Sequence, residues 1–238
     1  MFSNNHFILL GICGAAIVLA SLLAKKMNWN LKWVLLVCCF ITILCETTKI
    51  LNNLSIDDYG ARFSVWALPF HLCSMQIFAL WFCYLTKNDR RREIMFCLMV
   101  PTIIIGAAMA LLLPTIGTDL TNPEVWTSFI FHSMLMFFAV YLLLTKRVKI
   151  TTRVYFRNLA FLAAILIVVG FWVNGMFGTN FLYVMHPPMT GLPLLNLDNG
   201  YYIYLISYLC LAVLLFTICH FVFIISSLIR SNLHRSNK

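Results

Sequence analysis

Apolar runs of about 20 residues alternate with short polar clusters along the whole chain. The runs cover 7–23, 33–50, 66–85, 94–113, 127–145, 156–176 and 201–229 of the 238 residues. An α-helix needs ~20 residues to cross a hydrocarbon core of ~30 Å. A backbone in lipid must satisfy its own N–H and C=O groups, and a helix does so within one segment. The pattern therefore predicts an all-α membrane protein, a seven-helix transmembrane bundle that forms a single transmembrane domain over residues 1–238. Pro101 lies inside the fourth run and predicts a kink there. The first run has no basic residue before it and is followed by Lys25 and Lys26. A secretory signal peptide has the reverse arrangement, so this run is read as a mature helix.

Composition supports lipid as the solvent. Hydrophobic residues make up 62% of the chain and charged residues 11%, whereas soluble domains are nearer half apolar. The net charge of +9 follows the loops. Lys25, Lys26 and Lys32 follow the first run, and Lys87, Arg90, Arg91 and Arg92 follow the third. Lys146, Arg147, Lys149, Arg153 and Arg157 follow the fifth, and Arg230, Arg235 and Lys238 follow the seventh. These are fifteen of the seventeen basic residues, leaving Lys49 and Arg62 on the other side. Such a bias places the N-terminus outside and the C-terminus in the cytoplasm. The basic clusters lack the interleaved aromatics of a nucleic-acid surface, so the partners expected are membrane lipids and no nucleic acid. All nine cysteines lie in apolar runs, which excludes a secreted disulfide framework and reads them mostly as small buried hydrophobes.

Polar side chains inside a membrane are costly, and here they share one depth. The second run ends with Glu46, Thr47 and Lys49, and the third begins with His71, Cys73, Ser74 and Gln76. The fifth begins with Ser128, His132 and Ser133, and the sixth ends with Asn174, followed by Asn180 in the long loop to residue 200. Under the predicted orientation all of these lie toward the extracytoplasmic side. Singly, each has a plain explanation: a Glu46–Lys49 pair on one helix face, packing histidines, or Asn174 joining two helices. Their common depth on four helices points to a shared cavity. The loops on that side carry turn residues, among them Asp57, Asp58, Pro114, Gly117, Pro123, His186, Pro187, Gly191 and Pro193.

Pro69 suits the first turn of the third helix. Cys73 and Gln76 are three apart and share a face. His71 and Cys73 are two apart, about 200° around a regular helix, so a base for Cys73 has to come from elsewhere. His132 is the natural candidate. A cysteine near a helix N-terminus is favoured as thiolate and so as nucleophile, while the plain alternative is one more buried thiol. No HExxH, CxxC or Gly-rich phosphate loop is present, and neither a metal nor a cofactor is expected.

The segment Leu68-Pro69-Phe70-His71-Leu72-Cys73-Ser74 resembles the proline–histidine–cysteine motif of the YwaF-like bacterial integral membrane proteins. Glu46 and Lys49 at the end of the second helix fit the same pattern, as does Asn174 followed by Gly178-Thr179-Asn180-Phe181-Leu182. That family is similar to the animal transmembrane protein 164 group, described as acyltransferases acting on phospholipids through a cysteine. The resemblance implies a seven-helix protein of the bacterial cell membrane and acyl transfer. Phe181 stands where a tyrosine is expected, and His186-Pro187-Pro188 where a more charged run is expected.

The expected function is a phospholipid or lipid acyltransferase at the outer leaflet. Cys73, His132 and His71 are its candidate catalytic residues. Glu46, Lys49, Gln76, Asn174 and Asn180 are its candidate substrate-binding residues. The alternatives are a small-solute or ion transporter, a metal-dependent membrane lipid hydrolase using the histidines and Glu46, and an assembly partner without chemistry. Against transport, the inner half has no matching polar path and no inverted repeat is visible.

Overall fold

The computed structural model describes residues 3–57, 60–113, 117–188 and 195–236, with side chains described outside 55–63 and 226–236. Asp58, Pro114, Gly191, Pro193 and Lys238 lie outside the described residues. Helices α1 (Asn4–Lys26) and α2 (Leu31–Asn52) each begin at a polar cap: the Ser3 side chain accepts from His6 N–H, and that of Asn30 from Lys32 N–H. These caps answer backbone donors that the first helical turn leaves open. A short antiparallel pair, β1 (Leu54–Asp57) and β2 (Gly60–Phe63), follows α2, with Leu54 opposite Phe63.

The third run departs from expectation. Only Gln76–Leu85 is α-helix (α3), preceded by a 3₁₀ turn at Val65–Ala67 and turns over 68–75. Pro69 explains why no helix runs through Leu68. The residue before a proline is pushed out of the helical region, and Leu68 is extended at φ −60°, ψ 145°. Ten helical residues rise only about 15 Å, half of the hydrocarbon core.

Helices α4 (Asp89–Leu112) and α5 (Pro123–Leu144) follow. Pro101 sits inside α4 and has no N–H for the carbonyl of Cys97, four residues earlier. The buried Asn158 supplies the missing donor, its Nδ2 lying 2.7 Å from that carbonyl oxygen.

The sixth run is one continuous rod over Thr152–Phe177 made of three parts. It is α-helical at Thr152–Ile165 (α6), π-helical at Leu166–Val173, and α-helical again at Asn174–Phe177 (α7). The expected plain helix is thus widened before its end. The wide turn places Gly170 against the following loop: a Cβ there would lie 2.9 Å from Cγ2 of Val184. Helix α8 (Tyr201–Ser236) ends the chain.

Among the described residues six helices are long and apolar enough to cross a membrane, α3 being the shorter seventh. Helix α5 lies at the centre, packed on α1, α2 and α4, while α3 fills the gap between α2 and α4. The core there is apolar and tight, with Leu35, Leu80, Val100, Ile103, Leu135, Phe138 and Ala139 almost fully buried. Cys38, Cys39 and Cys83 pack among them as small hydrophobes, as their apolar setting predicted. By contrast, Ile8, Leu19 and Leu22 of α1 and Ile206, Leu214 and Phe221 of α8 are exposed. In water each would forfeit about 1.5–3 kcal/mol of burial, a loss that lipid removes.

Candidate functional site

The turns between Pro69 and α3 carry His71, Cys73 and Ser74. Met75 N–H donates to His71 O at 2.9 Å and Gln76 N–H to Cys73 O at 3.0 Å, which closes the segment into α3. Cys73 therefore lies two residues before the α3 cap at Met75 rather than in the first helical turn. The 200° argument separating His71 from Cys73 does not apply to this irregular backbone.

Around this segment Glu46, Ser74 and Gln76 form hydrogen bonds that join α2, the α3 approach and α4. Glu46, buried near the end of α2, pairs through one carboxylate oxygen with Lys49 and accepts from Ser74 Oγ through the other at 3.3 Å. That bond ties α2 to the α3 approach. The Lys49 ammonium is within electrostatic reach of both His71 and His132, and the Glu46 carboxylate is within reach of Cys73.

Gln76 donates from Nε2 to Leu72 O at 3.3 Å and to Thr102 Oγ1 of α4 at 3.2 Å. Its Oε1 is buried without a hydrogen-bond partner. The sulfur of Cys73 seats on Gly106 of α4, where a Cβ would be only 2.8 Å away. A glycine is needed at that point for the α3 approach to come so near.

On α5, His132 Nδ1 is 2.7 Å from Ser128 O. A carbonyl can only accept, so Nδ1 carries the proton and, in the neutral ring, Nε2 keeps its lone pair. The neighbouring Ser133 Oγ is buried without a partner.

Asn174 and Asn180 are used differently. Asn174 Nδ2 donates to Gly170 O and Phe181 O, both at 2.9 Å. Its Oδ1 accepts from Thr179 Oγ1 at 2.9 Å and from Phe181 N–H at 2.7 Å. Asn180 donates to His186 O at 2.7 Å and accepts from Met185 N–H at 2.8 Å. With two donors and two acceptor sites per amide, Asn174 is fully engaged within its own loop. Both residues shape the turn at 178–186.

That turn reaches back to the site. Leu182 and Tyr183 adopt left-handed φ values of 61° and 54°, a conformation costing of order 1–3 kcal/mol for each such residue. Two tyrosines of α8 hold it: Tyr208 donates to Leu182 O at 2.6 Å, and Tyr204 donates to Tyr183 O. His71 lies against the same turn, its ring 5.3 Å from that of Phe181 and 5.0 Å from that of Tyr183. The sequence pattern did not single out Gly106, Thr102, Tyr204 or Tyr208. They sit in apolar runs where a glycine, a threonine or a tyrosine is ordinary.

His186 is exposed at the loop surface, with Nδ1 3.3 Å from Pro187 O. Among the described residues no three His, Cys, Asp or Glu side chains converge as metal ligands.

The architecture defines a multi-pass membrane protein in which buried polar side chains link α2, the α3 approach and α4. The chain belongs to the TMEM164 family, whose family model matches residues 1–223. Comparison with curated proteins and with solved structures gives no match.

Proposed function

We propose that the protein is a thiol-dependent lipid acyltransferase working near the outer leaflet of the cell membrane, with its N-terminus outside. The observation that carries this reading is the placement of Cys73. It is a cysteine of the α3 approach, on irregular backbone, seated on Gly106 and three residues before Gln76, the α3 residue that bonds to α4. Cys38, Cys39 and Cys83 are buried inside the apolar core, whereas Cys73 packs at its edge.

In the proposed reaction His132 Nε2 takes the Cys73 proton as the sulfur attacks the ester carbonyl carbon of a membrane lipid. The ester C–O bond breaks, the leaving alkoxide takes the proton from His132, and a lysolipid departs. The acyl chain stays on sulfur as a thioester. An acceptor hydroxyl then attacks it, and its proton returns through His132 to the sulfur. The unpartnered Gln76 Oε1 accepts from the incoming hydroxyl, and Lys49 holds the lipid phosphate. His71 bridges this centre to the 181–183 turn, and Asn174 and Asn180 keep that turn in shape.

The test is lipidomics of cells lacking the protein and complemented with wild type, Cys73→Ala or Cys83→Ala. The reading expects wild type and Cys83→Ala to restore one set of acyl species and Cys73→Ala to fail. It also expects a hydroxylamine-sensitive acyl group on wild-type protein. Full complementation by Cys73→Ala removes the thiol mechanism.

A further inference from the structure

Two adjoining cavities lie at the other end of the bundle. Asn30 and Glu46 are sixteen residues apart on α2, so these cavities are about 24 Å from the candidate site. Helices α1 and α5 pack side by side and end alike. Trp29 N–H donates to Ala24 O, and Arg147 N–H to Leu142 O, both at 3.0 Å. Each bond closes over a left-handed residue, Asn28 at φ 51° and Lys146 at φ 55°. A glycine usually fills that place.

The paired turns gather Lys25, Asn28, Lys146 and Arg147 around a cavity of about 350 Å³ that no carboxylate lines. Trp29 forms part of its wall and also part of the wall of a second cavity, of about 280 Å³. The second cavity continues along α2 and α5 past Trp33, Val34, Val37 and Phe137. From Asn30 to Val37 that is a path of about 10 Å along the helix axis. Trp29 is fixed between the two: its carbonyl accepts from Tyr141 OH at 2.9 Å, and its ring meets that of Phe137 edge-on at 6.4 Å.

Cations near helix C-termini are common because they complement the dipole. That accounts for the basic residues alone, but not for a basic hollow that shares its Trp29 wall with an apolar furrow running along α2. We propose that the two cavities together bind one anionic phospholipid. Lys25, Lys146 and Arg147 hold its phosphate headgroup, and one acyl chain lies along Trp33, Val34, Val37 and Phe137. Basic pockets between membrane helices recognise anionic headgroups through this chemistry. The inference is independent of acyl transfer and of Cys73.

The test is native mass spectrometry of the full-length protein in detergent, with equimolar phosphatidylglycerol and phosphatidylcholine carrying the same acyl chains. Wild type is expected to retain phosphatidylglycerol preferentially. The triple change Lys25→Gln, Lys146→Gln, Arg147→Gln is expected to lower that retention roughly tenfold or more. Lys87→Gln, Arg90→Gln, Arg91→Gln removes the same charge elsewhere and is expected to leave it unchanged. Val37→Trp fills the furrow with every charge intact and is expected to lower retention too, which keeps the test decisive if the triple variant misfolds. Equal retention of both lipids, or equal loss in the two triple variants, overturns the proposal. So does competition by glycerophosphoglycerol as effective as that by the intact lipid, which would show a site for soluble anions.

Discussion

At the scale of single residues, the contact of Cys73 with Gly106 makes the sharpest prediction. Gly106→Ala forces a methyl group to within 2.8 Å of the sulfur. Overpacking of this kind costs about 1–3 kcal/mol. Gly14→Ala on α1 meets nothing within 4 Å and should be neutral or stabilise by up to about 1 kcal/mol. Thermal unfolding in detergent, read for both variants, checks the pair; equal behaviour would show that the close approach does not matter. Reactivity is a second residue-scale matter. Cys73 should label faster than Cys83 with a lipid-soluble maleimide, because Cys83 is fully buried in the apolar core beside Met99. His132→Ala should slow the labelling of Cys73 and leave the fold intact. Equal rates for the two cysteines in folded protein would mark Cys73 as an ordinary packed thiol.

Between elements, polar side chains repair or hold irregular backbone. Asn158 serves the carbonyl that Pro101 leaves open. Asn158→Ala should therefore destabilise the bundle by about 1–3 kcal/mol, the cost of a buried acceptor left without a donor. In a Pro101→Ala background the helix regains its own N–H, and the same change should cost measurably less. A double-mutant cycle in detergent reads the difference, and strict additivity would refute the link. The 181–183 turn gives a parallel case. Tyr208→Phe and Tyr204→Phe each remove a hydroxyl that holds a left-handed residue. Each should lower stability by about 0.5–1.5 kcal/mol. Because His71 rests on that turn, labelling of Cys73 should change in these variants and labelling of Cys219 should not.

For the whole molecule, the test is topology. Fifteen of seventeen basic residues fall in alternate loops, and the inside of a membrane retains such loops. Single-cysteine accessibility should place Asp57, Asp119 and Asp198 outside and Arg91, Lys149 and Arg235 inside. An inside Asp119 would reverse the orientation and move the proposed chemistry to the inner leaflet. This orientation requires α3 and the irregular stretch from 64 to 75 to carry the chain across together, so the same labelling also tests that crossing.

The sequence by itself determined the seven apolar segments and the membrane as solvent, because helix length and hydropathy are properties of contiguous residues. It also led to the expectation that Glu46, His71, Cys73 and His132 share one depth, drawn from their positions along the apolar runs. Tertiary structure alone decided the rest. Pro69 reads as the first turn of the third helix, yet that helix starts at Gln76, after a stretch whose Ser74 reaches Glu46 across to α2. The widening of the sixth rod over Leu166–Val173 accompanies the seating of Val184 on Gly170 and the folding of the next loop around Asn174. These contacts join residues that are distant in sequence or follow a change of chain direction, and no periodicity records them. Asn174 and Asn180 show the limit most clearly: an asparagine at a membrane helix end reads equally as a ligand or as a clamp, and only the partners of its amide tell which it is.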